Sequence, residues 1–129
     1  GLVTLAGLPP KTEPDPTPAD AAELAEAGRK VVSANGGFSC ISCHGVGEFG
    51  ATQVFEAPGI NLALSFDRLQ PEYFRRWLRA PTMIDSSSKM PVYFDEEGKS
   101  PLPDVLGGDG PKTIQAVWEY LRLRDKAPK

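Results

Sequence analysis

The chain has 129 residues, of which 40% are hydrophobic, with 13 glycines and 13 prolines; that suits one domain with a modest core set among many loops. Its 14 basic and 17 acidic side chains give a net charge of −3, and without a basic block or a basic–aromatic stripe it does not read as a nucleic-acid binder. No run approaches the roughly 20 apolar residues that span a bilayer.

Residues 1–19 read as a Pro-rich arm, because Pro9, Pro10, Pro14, Pro16 and Pro18 favour extended chain and forbid helix. The arm reads equally as a linker from a preceding domain or as a frayed terminus. Leu2–Leu8 is apolar, but it is too short and lacks the basic start of a signal peptide. The domain itself is expected over 20–126, with 127–129 as a tail.

The first helix is predicted from about Ala21 to Ala34. Asp20 suits the N-cap and Glu23 the capping-box position. Leu24, Ala27, Gly28, Val31 and Val32 make one apolar face, and Asn35-Gly36-Gly37 ends the run.

Phe38 then leads into Cys40-Ile41-Ser42-Cys43-His44. Cys-x-x-Cys-His is the pattern at which haem is attached covalently. Two cysteines three residues apart lie on one side of a helical turn, so their sulfurs can reach the two vinyl groups on one edge of the ring. His44 follows immediately and can direct an imidazole nitrogen at the iron. The motif uses both cysteines and the only histidine. A structural zinc site wants four ligands, and only three soft ones exist here. A thioredoxin-like Cys-x-x-Cys would accompany a βαβ pattern, and no strand pattern is visible. A Cys40–Cys43 disulfide would close a very small loop and leave His44 without a role.

Residues 45–62 read as irregular, broken by Gly45, Gly47, Gly50, Pro58 and Gly59. A second helix is predicted over Pro71–Ala80, with Pro71 at its first position and Pro81 ending it. Its apolar residues are Tyr73, Phe74, Trp77 and Leu78. A serine-rich loop over 85–88 precedes Lys89-Met90-Pro91, and residues 95–110 read as another loop. The last helix is predicted from near Pro111 to near Arg124, with Ile114, Val117, Trp118 and Leu121 on one face. Arg122, Arg124 and Lys126 sit at its C-terminal end, where cations complement the helix dipole.

With one histidine, the second axial ligand must be another residue type. Met83 and Met90 are the soft candidates, and a thioether favours ferrous iron. Met90 is preferred, because the serine-rich loop can carry it back over the ring and Pro91 stiffens the chain beyond it. Met83, Lys89 and water are the alternatives, and either methionine may be read as core filler instead.

From about residue 20 to 124 this arrangement resembles class I cytochrome c. The likeness rests on a helix before Cys40-Ile41-Ser42-Cys43-His44, a Pro-containing loop, a middle helix ended by Pro81, then Lys89-Met90-Pro91 and a final helix. It implies an all-α fold whose N- and C-terminal helices cross, with short helices and long loops wrapped around one covalently bound haem c. Gly28 and Val32 match one side of that crossing, and Val117 and Tyr120 the other. The resemblance also implies that the carbonyl of Pro58 accepts a hydrogen bond from His44, and that Trp77 donates to a haem propionate, with which Arg75, Arg76 or Arg79 could also pair. In the plainer readings Pro58 is a loop breaker and Trp77 a core residue.

The function implied is one-electron transfer with His44 and Met90 as axial ligands, in a free carrier or in a domain of a larger periplasmic protein. No catalytic residues are expected. Redox partner proteins would make transient contact at the haem edge, and the arm would tether the domain if it is a linker. Covalent attachment of haem implies a periplasmic or otherwise extracytoplasmic bacterial location. The other function classes are a haem enzyme or gas sensor with a displaceable distal ligand, and a thiol–disulfide oxidoreductase.

Overall fold

The computed structural model describes residues 15–54 and 57–128; the stretch 1–14, most of the expected arm, lies outside them. Helix α1 spans Ala21–Val32, α2 is the single turn Cys40–Cys43, α3 is Ser65–Arg68, α4 is Pro71–Arg79, α5 is Pro81–Ile84 and α6 is Gly110–Arg122. Short 3₁₀ turns cover Leu62–Leu64, Leu106–Gly108 and Arg124–Lys126. Among the described residues every regular element is helical, and pairing of the β type is confined to one bridge between Val46 and Phe49. No described helix is long and apolar enough to cross a membrane.

Helix α1 begins where its sequence predicts, but Asp20 caps it differently. The Asp20 side chain makes no cap hydrogen bond, and its backbone carbonyl receives Leu24 N–H at 3.0 Å. The helix stops at Val32, two residues early. Ser33 turns extended and its hydroxyl donates to Lys30 O at 2.7 Å, while Phe38 N–H reaches Val31 O at 2.6 Å. The following turn thus satisfies carbonyls that a longer helix would have used.

Helices α1 and α6 form the main packed pair of the fold. Gly28 makes this possible: a Cβ there would overlap the Ala116 carbonyl and sit 2.8 Å from Tyr120 Cβ. The close approach therefore uses Ala116 and Tyr120, one residue offset from the expected Val117. Neither helix is long enough to be stable alone, so their mutual burial holds both.

Helix α6 starts with Asp109 as N-cap, whose carboxylate accepts Lys112 N–H at 2.9 Å. The predicted stripe Ile114, Val117, Trp118, Leu121 is buried, but so are Ala116, Glu119 and Tyr120. One apolar stripe does not describe a helix covered on several sides. Helix α4 packs against it as well as α1, and residues 15 and 16 clamp its end. Trp118 Nε1 donates to Asp15 Oδ2 at 3.0 Å, and Arg122 donates to Asp15 O at 2.6 Å and Pro16 O at 3.1 Å. Arg122 also reaches the buried Glu119 carboxylate at 2.6 Å, which Gln115 Nε2 meets at 2.6 Å. Beyond the helix the chain folds back: Ala127 is buried and Tyr120 donates its hydroxyl hydrogen to Pro128 O at 2.6 Å.

Helix α4 follows its predicted limits to within one residue. Pro81 ends it and at once opens α5, because Ala80 takes a non-helical conformation between them. The 95–110 loop is ordered by Asp95, whose carboxylate accepts the N–H groups of Glu97 and Lys99 at 2.9 and 2.8 Å.

Candidate functional site

The one-turn helix α2 holds both cysteines at its ends. Neither forms a disulfide. Burial pushes the Cys40 thiol up from 9.0 to about 12. A redox-active Cys-x-x-Cys needs an attacking thiol shifted the opposite way, toward thiolate, and Cys40 does not resemble one.

His44 follows at the end of that turn. Its Nδ1 lies 2.7 Å from the carbonyl oxygen of Ile60. A carbonyl can only accept, so Nδ1 carries the hydrogen of this bond and Nε2 is the ring nitrogen left for another partner. The resemblance assigned this contact to Pro58, but the carbonyl that meets the ring belongs to Ile60, two residues on. Gly59, between them, lies flat against the imidazole: a Cβ there would overlap the ring, with Nε2 only 2.7 Å away.

The loop bearing Ile60 is fastened to the turn after His44 from both directions. Gly59 N–H donates to Cys43 O at 2.7 Å and Leu62 N–H to Gly45 O at 2.8 Å. The Asn61 side chain bonds both backbone groups of Gly47 at 2.9 Å and accepts Ala63 N–H at 3.0 Å. On the other flank, Thr52 and Gln53 donate to the carbonyls of Ile41 and Ser42 at 3.1 and 2.9 Å. Several backbone bonds thus fix the imidazole before any ligand contributes.

Met90 is half-buried and packs on the rim of the core, as do Cys40, Leu69 and Tyr93. Met83 is 85% exposed. The segment after Met90 is attached to the segment before Cys40 by aromatic rings. Tyr93 stacks on Phe38 with centroids 4.4 Å apart, and Phe94 meets Phe38 edge-on at 5.5 Å. Ser88 Oγ accepts Met90 N–H at 3.1 Å. Trp77 Nε1 points at Met90 Sδ, 3.1 Å away. Its single N–H is therefore directed at the thioether, whereas the resemblance gave it a propionate. Arg75 pairs with Glu72 at 2.6 Å and Gln115 at 3.1 Å.

A scan of protein-family models, a search of curated proteins and a search of solved structures each find no match to this chain. The reading of the site therefore rests on its own chemistry.

Among the described residues no three His, Cys, Asp or Glu side chains group as a bare metal site would require. A haem does not need such a group, since its porphyrin supplies four of the six ligands to iron. What it needs from the chain is two thiols on one turn, an oriented imidazole and a second axial donor. The residues present fit those needs: Cys40 and Cys43 on α2, His44 with only Nδ1 engaged, and the Met90 thioether at the rim of the same core. Sequence reasoning missed Gly59, Ile60, Asn61 and Tyr93. Of these, only Gly59 carried a signal, as a glycine beside the predicted loop-breaking Pro58.

Proposed function

We propose that this chain is an electron carrier of the class I cytochrome c kind, holding one haem c through Cys40 and Cys43, with His44 and Met90 as axial ligands. The observation that carries this reading is the imidazole of His44, pinned through Nδ1 by Ile60 O at 2.7 Å next to two unpaired cysteines on one turn. The bound group supplies an iron that accepts and releases a single electron.

The chain's own residues would hold that group, with His44 and Met90 as its ligands, each oriented by its neighbours. The Ile60 carbonyl sets the tautomer of His44 and raises its basicity as a donor. Gly59 leaves the ring the space that a Cβ would fill. Ser88 and Pro91 hold the backbone on either side of Met90, and Trp77 orients its sulfur. With both His44 and Met90 as ligands, the group would supply electron transfer and would leave no place on the iron for a substrate, so transfer of electrons rather than catalysis is the expected activity. Partner contacts would be small and transient, as redox encounters are. Covalent attachment argues for a location outside the bacterial cytoplasm.

The test is the weak near-infrared sulfur-to-iron band of the ferric protein. It is expected in the wild type and absent in Met90→Ala. A band that survives in Met90→Ala would remove Met90 from the centre. Rapid carbon monoxide binding by the native ferrous protein would replace the carrier by a ligand-binding haem protein.

A further inference from the structure

Asn35 and Asn61 are the two asparagines of the chain, and the fold treats them in opposite ways. The Asn61 side chain is spent on Gly47 and Ala63, and the N–H that follows it, that of Leu62, donates to Gly45 O at 2.8 Å. Asn35 lies exposed in the turn between α1 and α2, and its side chain meets no hydrogen-bond partner among the described residues. The next N–H, that of Gly36, is likewise free among them. Gly36 has φ +78°, and a Cβ added there would meet nothing within 4 Å.

An asparagine followed by an unhindered backbone nitrogen is a reactive pair. That nitrogen can close a five-membered ring on the side-chain carbonyl carbon. Glycine permits the approach, because it has no Cβ beside the nitrogen and the widest choice of backbone conformations. At Asn61 the corresponding nitrogen belongs to a branched residue, Leu62, and its hydrogen is already engaged.

We propose that Asn35 is a site of spontaneous deamidation in the folded protein. Hydroxide or a buffer base removes the Gly36 N–H proton, and the nitrogen attacks the side-chain carbonyl carbon of Asn35. The bond from that carbon to the amide nitrogen breaks, and the nitrogen leaves as ammonia with a proton taken from water. Water then opens the resulting succinimide at either carbonyl, which leaves aspartate or isoaspartate at position 35. No electrons are exchanged. Each event makes the net charge one unit more negative than −3, and the iso form adds a methylene to the backbone of the turn. Phe38 N–H to Val31 O at 2.6 Å and Ser39 N–H to Ser33 O at 3.0 Å close that turn just ahead of Cys40. The change therefore falls on the segment that leads into α2.

The experiment holds wild type and Asn35→Gln folded in mildly alkaline buffer, with wild type unfolded in guanidinium alongside. Isoelectric focusing and peptide mapping by mass spectrometry follow both asparagines. Folded wild type is expected to gain a species one charge unit more acidic, with the new acid at position 35 and Asn61 intact, at a rate close to that of the unfolded chain. Asn35→Gln should gain none over the same period, because its longer side chain must close a larger ring. Folded-state protection of Asn35 by about tenfold or more, the equivalent of about 1.4 kcal/mol of barrier, would overturn the proposal. So would equal loss of amide at Asn61. The reaction needs no haem, so either failure leaves the electron-carrier reading untouched.

Discussion

Trp77 has one N–H to give, and in this molecule it gives it to a sulfur. Nε1 stands 3.1 Å from Met90 Sδ. A donor on the thioether draws electron density from it and weakens its support of ferric iron more than of ferrous iron. In the proposed centre Trp77→Phe should therefore lower the reduction potential, on the order of tens of millivolts for one neutral hydrogen bond. Electrochemistry on both proteins checks this, and an unchanged potential would detach Trp77 from the ligand. Tyr93 gives a second prediction. Burial pushes its hydroxyl up from 10.0 to about 12. The folded chain then keeps a proton that the unfolded chain loses, so stability falls as pH rises through the window from 10 to 12. Urea midpoints across that window should fall less steeply in Tyr93→Phe than in the wild type. These residue-scale facts were the least legible in the sequence. A backbone carbonyl such as that of Ile60 has no side-chain signature, and the partner of Trp77 depends on how a distant loop folds back.

At the scale of elements, helix limits followed from caps, prolines and apolar spacing. Pro71 and Pro81 bound α4 because one suits a helix start and the other cannot continue one. The helical turn α2 followed from the cysteine spacing, but the one-turn helices α3 and α5 were not legible, since four residues show no periodicity. The crossing of α1 and α6 yields a direct test at Gly28. Alanine would gain roughly 1 kcal/mol of helix propensity. Its Cβ, however, would overlap a backbone carbonyl that cannot rotate away, which puts the overpacking cost at the upper end of the usual range, about 3 kcal/mol, so a net loss of about 2 kcal/mol is expected. Urea unfolding of Gly28→Ala measures it. Equal or greater stability would mean that the helices part without cost.

At the scale of the whole molecule, two stretches read as peripheral take part in the structure. Asp15 and Pro16 bind Arg122 and Trp118, and Pro128 accepts from Tyr120. Arg122, expected simply to complement the helix dipole, pairs with the buried carboxylate of Glu119 and with Asp15. Hydrophobic patterning could not announce this, because a buried Glu119 looks polar and solvent-facing in sequence. Removing one partner of a buried pair leaves a buried charge unpaired, so Arg122→Met should cost about 3 kcal/mol. The double variant with Glu119→Gln should recover part of that loss. Thermal unfolding of the two proteins decides it, and a single variant as stable as the wild type would show that Glu119 does not depend on Arg122.

The cysteine–histidine motif was legible from the start, and its surroundings explain how it is held: α2 carries both sulfurs, Ile60 and Gly59 orient His44, and Tyr93 on Phe38 draws the Met90 segment toward Cys40. Whether that arrangement carries an iron porphyrin is decided by one spectrum. The protein, purified from cells able to attach haem c, is denatured in alkaline pyridine after extraction with acidified acetone, which removes haem that is not covalently bound. The account predicts the reduced spectrum of haem c at one haem per chain. A colourless chain after extraction would contradict it.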